Sequence, residues 1–167
     1  MMKLVQIVNN VLLLLFAVHI FYSCKPESKT EMSLKTHVLR LKPGEDLKKS
    51  LQEYINVRKI KAAWMVTCAG SLTTYKIRFA NQSEPSTDSG HFEIVGLTGT
   101  LSENGSHLHI SLSDSTGKTI GGHLTEGNLV YTTAEIVLQE STDYIFKRAK
   151  DGTTAWEELQ IEQIKND

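Results

Sequence analysis

From Ala62 onward the apolar residues of this chain recur at every second position or in short unbroken runs, separated by turn-forming residues. Period two is the repeat of a strand whose faces alternate, so most of the chain is committed to β-sheet. Ala62–Ala69, Leu72–Ala80, His91–Leu97, Gly99–Leu101, His107–Ser113 and Leu129–Gln139 read as strands, with Gly70-Ser71 expected to turn the first into the second. Asn104-Gly105 and Thr116-Gly117 are hairpin signals, and Lys118–Leu124 reads as the return strand of the second hairpin. Asn81–Gly90 is polar, contains Pro85 and reads as a surface loop. Asp143–Ile161 adds a strand, an Asp151-Gly152 turn and a closing strand or short helix near Leu159.

Ahead of this region the period changes. Thr36–Leu41 alternates as a strand, which Pro43-Gly44 stops. Glu45 and Asp46 then sit where acids favour a helix start. Leu47, Leu51, Tyr54, Ile55 and Arg58 follow at three- and four-residue spacing, with Lys48, Lys49, Gln52 and Glu53 facing outward. That pattern predicts one amphipathic helix of roughly fourteen residues. One main helix among many short strands makes an α+β domain on a mostly antiparallel sheet.

The N-terminus does not belong to that domain. Lys3 precedes a continuous apolar run, Val11–Val18, about half the length needed to span a bilayer. Residues 1–23 therefore read as a signal peptide. Phe21-Tyr22-Ser23-Cys24 resembles a bacterial lipobox, departing from it at Phe21, and would place a lipid on Cys24. Residues 24–34 are expected to be the lipidated cysteine and a tether, 35–162 the folded domain and 163–167 a tail. This organisation predicts a cell-envelope lipoprotein, periplasmic or attached to the outer membrane. An ordinary signal peptide is one alternative; a start at Met32, giving a cytoplasmic protein, is another.

Eighteen basic and nineteen acidic residues leave a net charge of -1, which argues against nucleic-acid binding by bulk charge. Two cysteines exclude a disulfide framework. The chain has no Gly-rich phosphate loop, no Ser-centred nucleophile elbow and no Cys-x-x-Cys pair. The candidate chemistry lies in three histidines. His107-Leu108-His109 sets two imidazoles on one face of a strand, with Cβ atoms roughly 7 Å apart. A hairpin at Gly117 would fold His123 back beside them, and Gly121-Gly122 would allow close backbone approach or a bend. Three imidazoles leave a fourth tetrahedral position open on a divalent metal. Zinc is the simplest ion, although nickel, copper and iron also accept imidazole. Glu93, Asp114 and Glu135 are candidate outer carboxylates. Surface histidines on strands also occur with no metal at all. His37 and His91 stand alone, Cys68 reads as core, Trp64 and Trp156 as packing residues, and Lys48-Lys49 as a solvated helix face.

Several ordered motifs together resemble the PPC (plants and prokaryotes conserved) domain. They are Leu39-Arg40-Leu41-Lys42-Pro43-Gly44-Glu45-Asp46, Phe92-Glu93-Ile94, Leu97-Thr98-Gly99-Thr100, Gly105-Ser106-His107-Leu108-His109-Ile110-Ser111-Leu112, Gly121-Gly122-His123-Leu124 and Thr132-Thr133-Ala134-Glu135-Ile136-Val137-Leu138. The resemblance implies a homotrimer in which His107, His109 and His123 cluster and hold a metal. Arg40 matches the family's recurrent arginine and is expected, with Asp114, at a ligand or inter-subunit cleft. Plant members carry AT-hooks; this chain has no Arg-Gly-Arg-Pro core, so DNA binding is not carried over. The expected function is an envelope-tethered homotrimeric module binding an unknown protein or small molecule. The alternative is a zinc enzyme of hydrolytic or lyase type with Glu93 or Glu135 as proton shuttle. A DNA-binding protein by family analogy is the third reading.

Overall fold

The computed structural model describes residues Ser33 to Lys165. The signal-peptide segment, Cys24 and nearly all of the expected tether lie outside the described residues. The elements are β1 (Leu34–Leu41), α1 (Leu47–Arg58), β2 (Ala63–Arg78), β3 (Ser86–Ser102), β4 (Gly105–Ser113), β5 (Thr119–Leu124), β6 (Leu129–Ser141), β7 (Tyr144–Ala149) and β8 (Glu158–Gln163). The first six strands form one antiparallel sheet in the order β1-β6-β2-β3-β4-β5, while β7 and β8 pair with each other. At its far end β2 also reaches β5, where Ile77 pairs with Leu124 and Arg78 with His123. Strands β2, β3, β4 and β5 thus form a closed circuit of backbone hydrogen bonds, and that closure positions the site described below. Among the described residues α1 is the one α-helix, and the α+β class expected from periodicity is the one observed.

The helix forms where its pattern required. The Asp46 carboxylate accepts from the Lys49 amide at 3.0 Å and from the Gly127 amide at 2.5 Å, capping the helix and tying it to the start of β6. An N-cap of this kind stabilises by about 1 kcal/mol. Lys59, in the left-handed region at φ 54°, ends the helix after twelve residues, two fewer than expected. Leu47, Leu51 and Ile55 are fully buried. At about 1.5–3 kcal/mol per buried side chain, this stripe holds the helix to the sheet far more strongly than its cap does. Beneath it lie Leu72, Ile77, Leu101, Leu108, Ile110, Leu112 and Leu124, none more than 2% exposed.

Two strand assignments change. Gly70-Ser71 is not a turn: β2 runs unbroken through it for sixteen residues. A Cβ on Gly70 would lie 2.1 Å from the Thr133 carbonyl oxygen, so the glycine lets β6 pass close by rather than reversing the chain. The register of β2 against β6 shifts on either side, between Met65 and Thr67 and between Gly70 and Leu72. The first shift accompanies exposure of Val66, at 52%, within an otherwise apolar run. Likewise β3 is one strand from Ser86 to Ser102, absorbing half of the expected polar loop and crossing Gly99. Asn128 is fully buried at the entrance to β6. Its Oδ1 accepts from the Lys76 amide at 3.0 Å, and its Nδ2 donates to the Lys76 and Thr125 carbonyls at 3.0 and 2.6 Å. One side chain thereby does the work of a ladder rung between β2 and the β5–β6 connection.

Candidate metal centre

Strand β4 presents His107 and His109 on its solvent face while Leu108 between them is fully buried, as period two demands. The β4–β5 hairpin then sets His123 directly opposite His109. A Cβ on Gly122 would stand 2.6 Å from the Arg78 carbonyl oxygen, so the bare glycine is what lets β5 close onto β2 at this point. The Nε2 atoms of His107 and His109 are 3.1 Å apart, and the three ring centroids are separated by 4.9, 5.1 and 5.7 Å. Each ring offers a nitrogen such that all three lie within 4.8 Å of one another. Two imidazole nitrogens on a tetrahedral zinc stand about 3.3 Å apart, which the first pair nearly matches.

Electrostatics suit a cation held by neutral rings. Burial pushes the His123 imidazole down to about 4, helped by the positive charges of Lys48 and Arg78 and by the other two histidines. His107 is lowered by loss of solvent, by His109 and by Arg148, with Glu158 opposing. Neutral imidazole is the form that binds metal. The Nδ1 of His123 is buried without a hydrogen-bond partner. A buried polar atom left in that state is expensive, and it marks a position completed by water or an ion that the polypeptide does not supply.

The carboxylates singled out in the sequence are elsewhere. Glu93 pairs with Ser113 on β4, four residues and roughly 13 Å along the strand from His109. Asp114 closes the β4–β5 turn, accepting from the Thr116 amide and hydroxyl and from the Lys118 amide. The Thr116 hydroxyl foremost, with these amides, holds its carboxyl low. Glu135 lies on β6 between Arg40 of β1 and Ala69 of β2. Ala69 is nine residues, roughly 30 Å, from the Arg78 that faces His123. Arg40 bonds the Thr133 hydroxyl at 3.0 Å and lines a shallow groove between β1 and α1 with Tyr54 and Arg58. The acids that do accompany the histidines are Glu158 of β8 and the exposed Glu157 before it, which line a cleft of about 670 Å³ together with His107 and His123.

That cleft holds residues the sequence did not single out. Arg78 and Arg148 are half-buried along it, and Lys150 and Trp156 are exposed. Trp156 is 62% exposed and is not the packing residue it read as; its ring lies 5.1 Å from the Arg78 guanidinium. Lys48 is half-buried rather than solvated, and burial lowers it despite nearby Glu126 and Asp46. Cys68 is core, as expected, with its thiol pushed up to about 12 by burial. His37 is not idle: it bridges the Tyr54 hydroxyl at 3.0 Å and Glu140 at 2.9 Å, linking α1 to β1 and β6.

Comparison with known proteins places this fold. A region of the bifunctional protein GlmU of Synechococcus sp. (strain JA-3-3Ab) is 41% identical over 140 residues, 84% of this chain and 22% of that protein. The chain thus spans less than a quarter of the length of the curated relatives it matches. The crystal structure of a hypothetical protein from Salmonella enterica superposes with a TM-score of 0.77 at 34% identity, covering 80% of this chain and 97% of that one. A metal-containing protein from Archaeoglobus fulgidus superposes with a TM-score of 0.66 at 25% identity, covering 78% and 96%. The family model of the Plants and Prokaryotes Conserved (PCC) domain matches residues 28–142, from just before β1 to the end of β6. This chain belongs to the Plants and Prokaryotes Conserved domain family.

Proposed function

We propose that the chain is an envelope-tethered, homotrimeric interaction module built around a three-histidine metal centre, with zinc as the resident ion and His107, His109 and His123 as its ligands. The observation that carries the reading is the convergence of three ring nitrogens within 4.8 Å on two paired strands, one ring with an orphaned buried nitrogen. The solved relative from Archaeoglobus fulgidus, itself metal-containing, supports the same reading. Bound zinc would supply a Lewis-acidic site with an open position. Exposed Val38, Val57, Val66 and Val95, between 52% and 75% accessible, support self-association. The apolar N-terminal run followed by Ser23-Cys24 supports export and a lipid anchor on Cys24; 35–162 is then the functional domain.

Elemental analysis of purified protein tests the centre: about one zinc per chain is expected, and His109→Ala should lose it. Equal metal in both proteins removes the premise. Light scattering tests the assembly, and a monomer at micromolar concentration rejects it. Mass analysis of membrane-extracted protein, compared with Cys24→Ser, tests the anchor; no lipid-sized increment refutes it. The enzymatic alternative has no support from Glu93 or Glu135, which lie far from the histidines. Near-neutral charge continues to disfavour bulk binding of nucleic acid.

A further inference from the structure

The surroundings of the three rings are built for a negative charge. In antiparallel strands, directly opposed residues share a face. Arg78 opposes His123 on β5, and His123 opposes His109 on β4, so one guanidinium stands in the same row as two of the rings. Thr100 of β3 opposes His107, and its hydroxyl accepts from Arg148 Nη2 at 2.6 Å. The second guanidinium is thereby held beside the third ring. Each arginine has five N–H donors. Arg148 spends one on Thr100, and Arg78 Nη1 reaches the Gln82 carbonyl at 3.2 Å. Among the described residues the ion pairs within 4.0 Å are His37–Glu140 and Lys147–Glu162, neither of them here. Two half-buried guanidiniums therefore share a cleft without a carboxylate at contact distance. Glu158 and the exposed Glu157 also line the cleft, and Glu158 acts on Arg148 electrostatically while accepting from the Thr154 hydroxyl at 2.6 Å; these two acids leave the three cations Arg78, Arg148 and Lys150 with one positive charge in excess.

Such charges are costly to hold out of water unless a counter-charge arrives. Guanidinium favours carboxylate and phosphate, which it binds through paired N–H groups. The cleft volume, about 670 Å³, is that of a small-molecule site. Trp156 adds a flat apolar wall at its rim.

We infer that this cleft takes a small organic oxyanion with a planar body, its carboxylate or phosphate group held between Arg78, Arg148 and the histidine-bound metal, and its ring against Trp156. The inference rests on the metal reading above and names the ligand class of the same site. His107, His123 and the two guanidiniums line one cleft, so a single oxyanion there could meet both arginines and a metal that the histidines would hold. Lys150 at the cleft and Lys48 near His123 add to the positive field.

Phenyl phosphate titrated into zinc-loaded protein in a calorimeter is the test, with zinc content measured separately on every sample. Binding is expected for the wild type. Arg78→Gln and Arg148→Gln should each weaken it at least tenfold without loss of zinc. Trp156→Ala should weaken phenyl phosphate more than inorganic phosphate. Arg148 also bonds Thr100, so Arg78→Gln stands as the variant that leaves that contact intact. No uptake by the zinc-loaded wild type at millimolar concentration, or wild-type affinity in both arginine variants, overturns the inference and leaves the metal centre standing. Should the wild type take no zinc, the metal reading fails, and the metal-free chain is titrated instead. Arginine-dependent uptake there supports the cleft, and its absence overturns it. A short DNA duplex that displaces phenyl phosphate with the same arginine dependence overturns the small-ligand assignment.

Discussion

Gly122→Ala separates the geometry of the centre from the stability of the fold. A Cβ at this position would lie 2.6 Å from the Arg78 carbonyl oxygen, whereas ordinary contact begins near 3.4 Å. Strand β5 must therefore back away from β2 by about 0.8 Å, or β2 must yield by the same amount. Two residue pairs close β5 onto β2, and the β4–β5 ladder is longer, with five. The β2–β5 edge is the weaker one and gives first. Overpacking of this kind costs about 1–3 kcal/mol, and the small number of pairs at stake puts the cost in the lower half of that range. Metal sites are less forgiving: ligand positions are held to about 0.2 Å, so a displacement several times larger at the neighbouring His123 should weaken zinc by roughly 10–100-fold, comparable to losing an outer-shell partner. Gly117→Ala is the control. It sits at φ +81° with nothing within 4 Å of its Cβ, so it bears a conformational cost of about 1–2 kcal/mol without moving His123. Zinc affinity is read by competition with a chromophoric chelator, and stability by urea unfolding followed by circular dichroism. The two variants should lose similar stability and differ at least tenfold in zinc affinity. Folded Gly122→Ala protein with wild-type affinity, or an equal affinity loss in Gly117→Ala, would show that strand closure does not position the third ring.

Three further outcomes follow from the packing. Gly99 has φ +137° and a Cβ path only 1.9 Å from the His107 carbonyl, so Gly99→Ala should cost roughly 2–5 kcal/mol in urea unfolding. Gly44→Ala, at φ +85° in open space, should cost about 1–2 kcal/mol, and equal costs would refute the contact argument. Asn128→Ala strands the Lys76 amide and the Thr125 carbonyl, while the Lys76 carbonyl keeps the Thr125 amide and hydroxyl, and should lower stability by about 2–4 kcal/mol; a shift under 1 kcal/mol would mean water replaces the side chain. In a Cys24→Ser background, native Cys68 should resist iodoacetamide at pH 8 and react once urea unfolds the chain. Its folded value of about 12 lies above the unfolded 9.0, so its contribution to stability is intact below pH 9 and lost as pH rises toward 12. Cys68→Ala should flatten that decline, and an unchanged slope would exclude the thiol as its source.

What the sequence disclosed and what it withheld divide along contact range. His107 and His109 were legible because period two is a local rule, and His123 because a single hairpin brings it back. The helix stripe Leu47, Leu51 and Ile55 was legible for the same reason. Glycines misled where their role was non-local: Gly70 read as part of a turn and Gly99 as the start of a separate strand, yet each admits a neighbouring strand's carbonyl within a continuous strand. The carboxylates Glu93 and Glu135 were chosen by residue type, and the register carried both away from the rings.

Arg78 and Arg148 mark the other side of that division. Arg78 reaches the centre through the β2–β5 closure, forty-five residues from its partner His123. Arg148 reaches it through β7, which pairs as a strand with β8 rather than with the main sheet. No spacing rule links either to the histidines, and each was an ordinary strand-end cation until the topology was known. The rings come from one local unit, and the charges around them come from distant parts of the chain. A peptide spanning Gly105–Leu124 would therefore carry all three imidazoles and none of the guanidiniums. Such a peptide, loaded with zinc, should take phenyl phosphate at least tenfold more weakly than the closed fold does, and equal affinity would refute a role for the arginines. The tighter grip belongs to the closed fold, because closure is what brings Arg78 opposite His123.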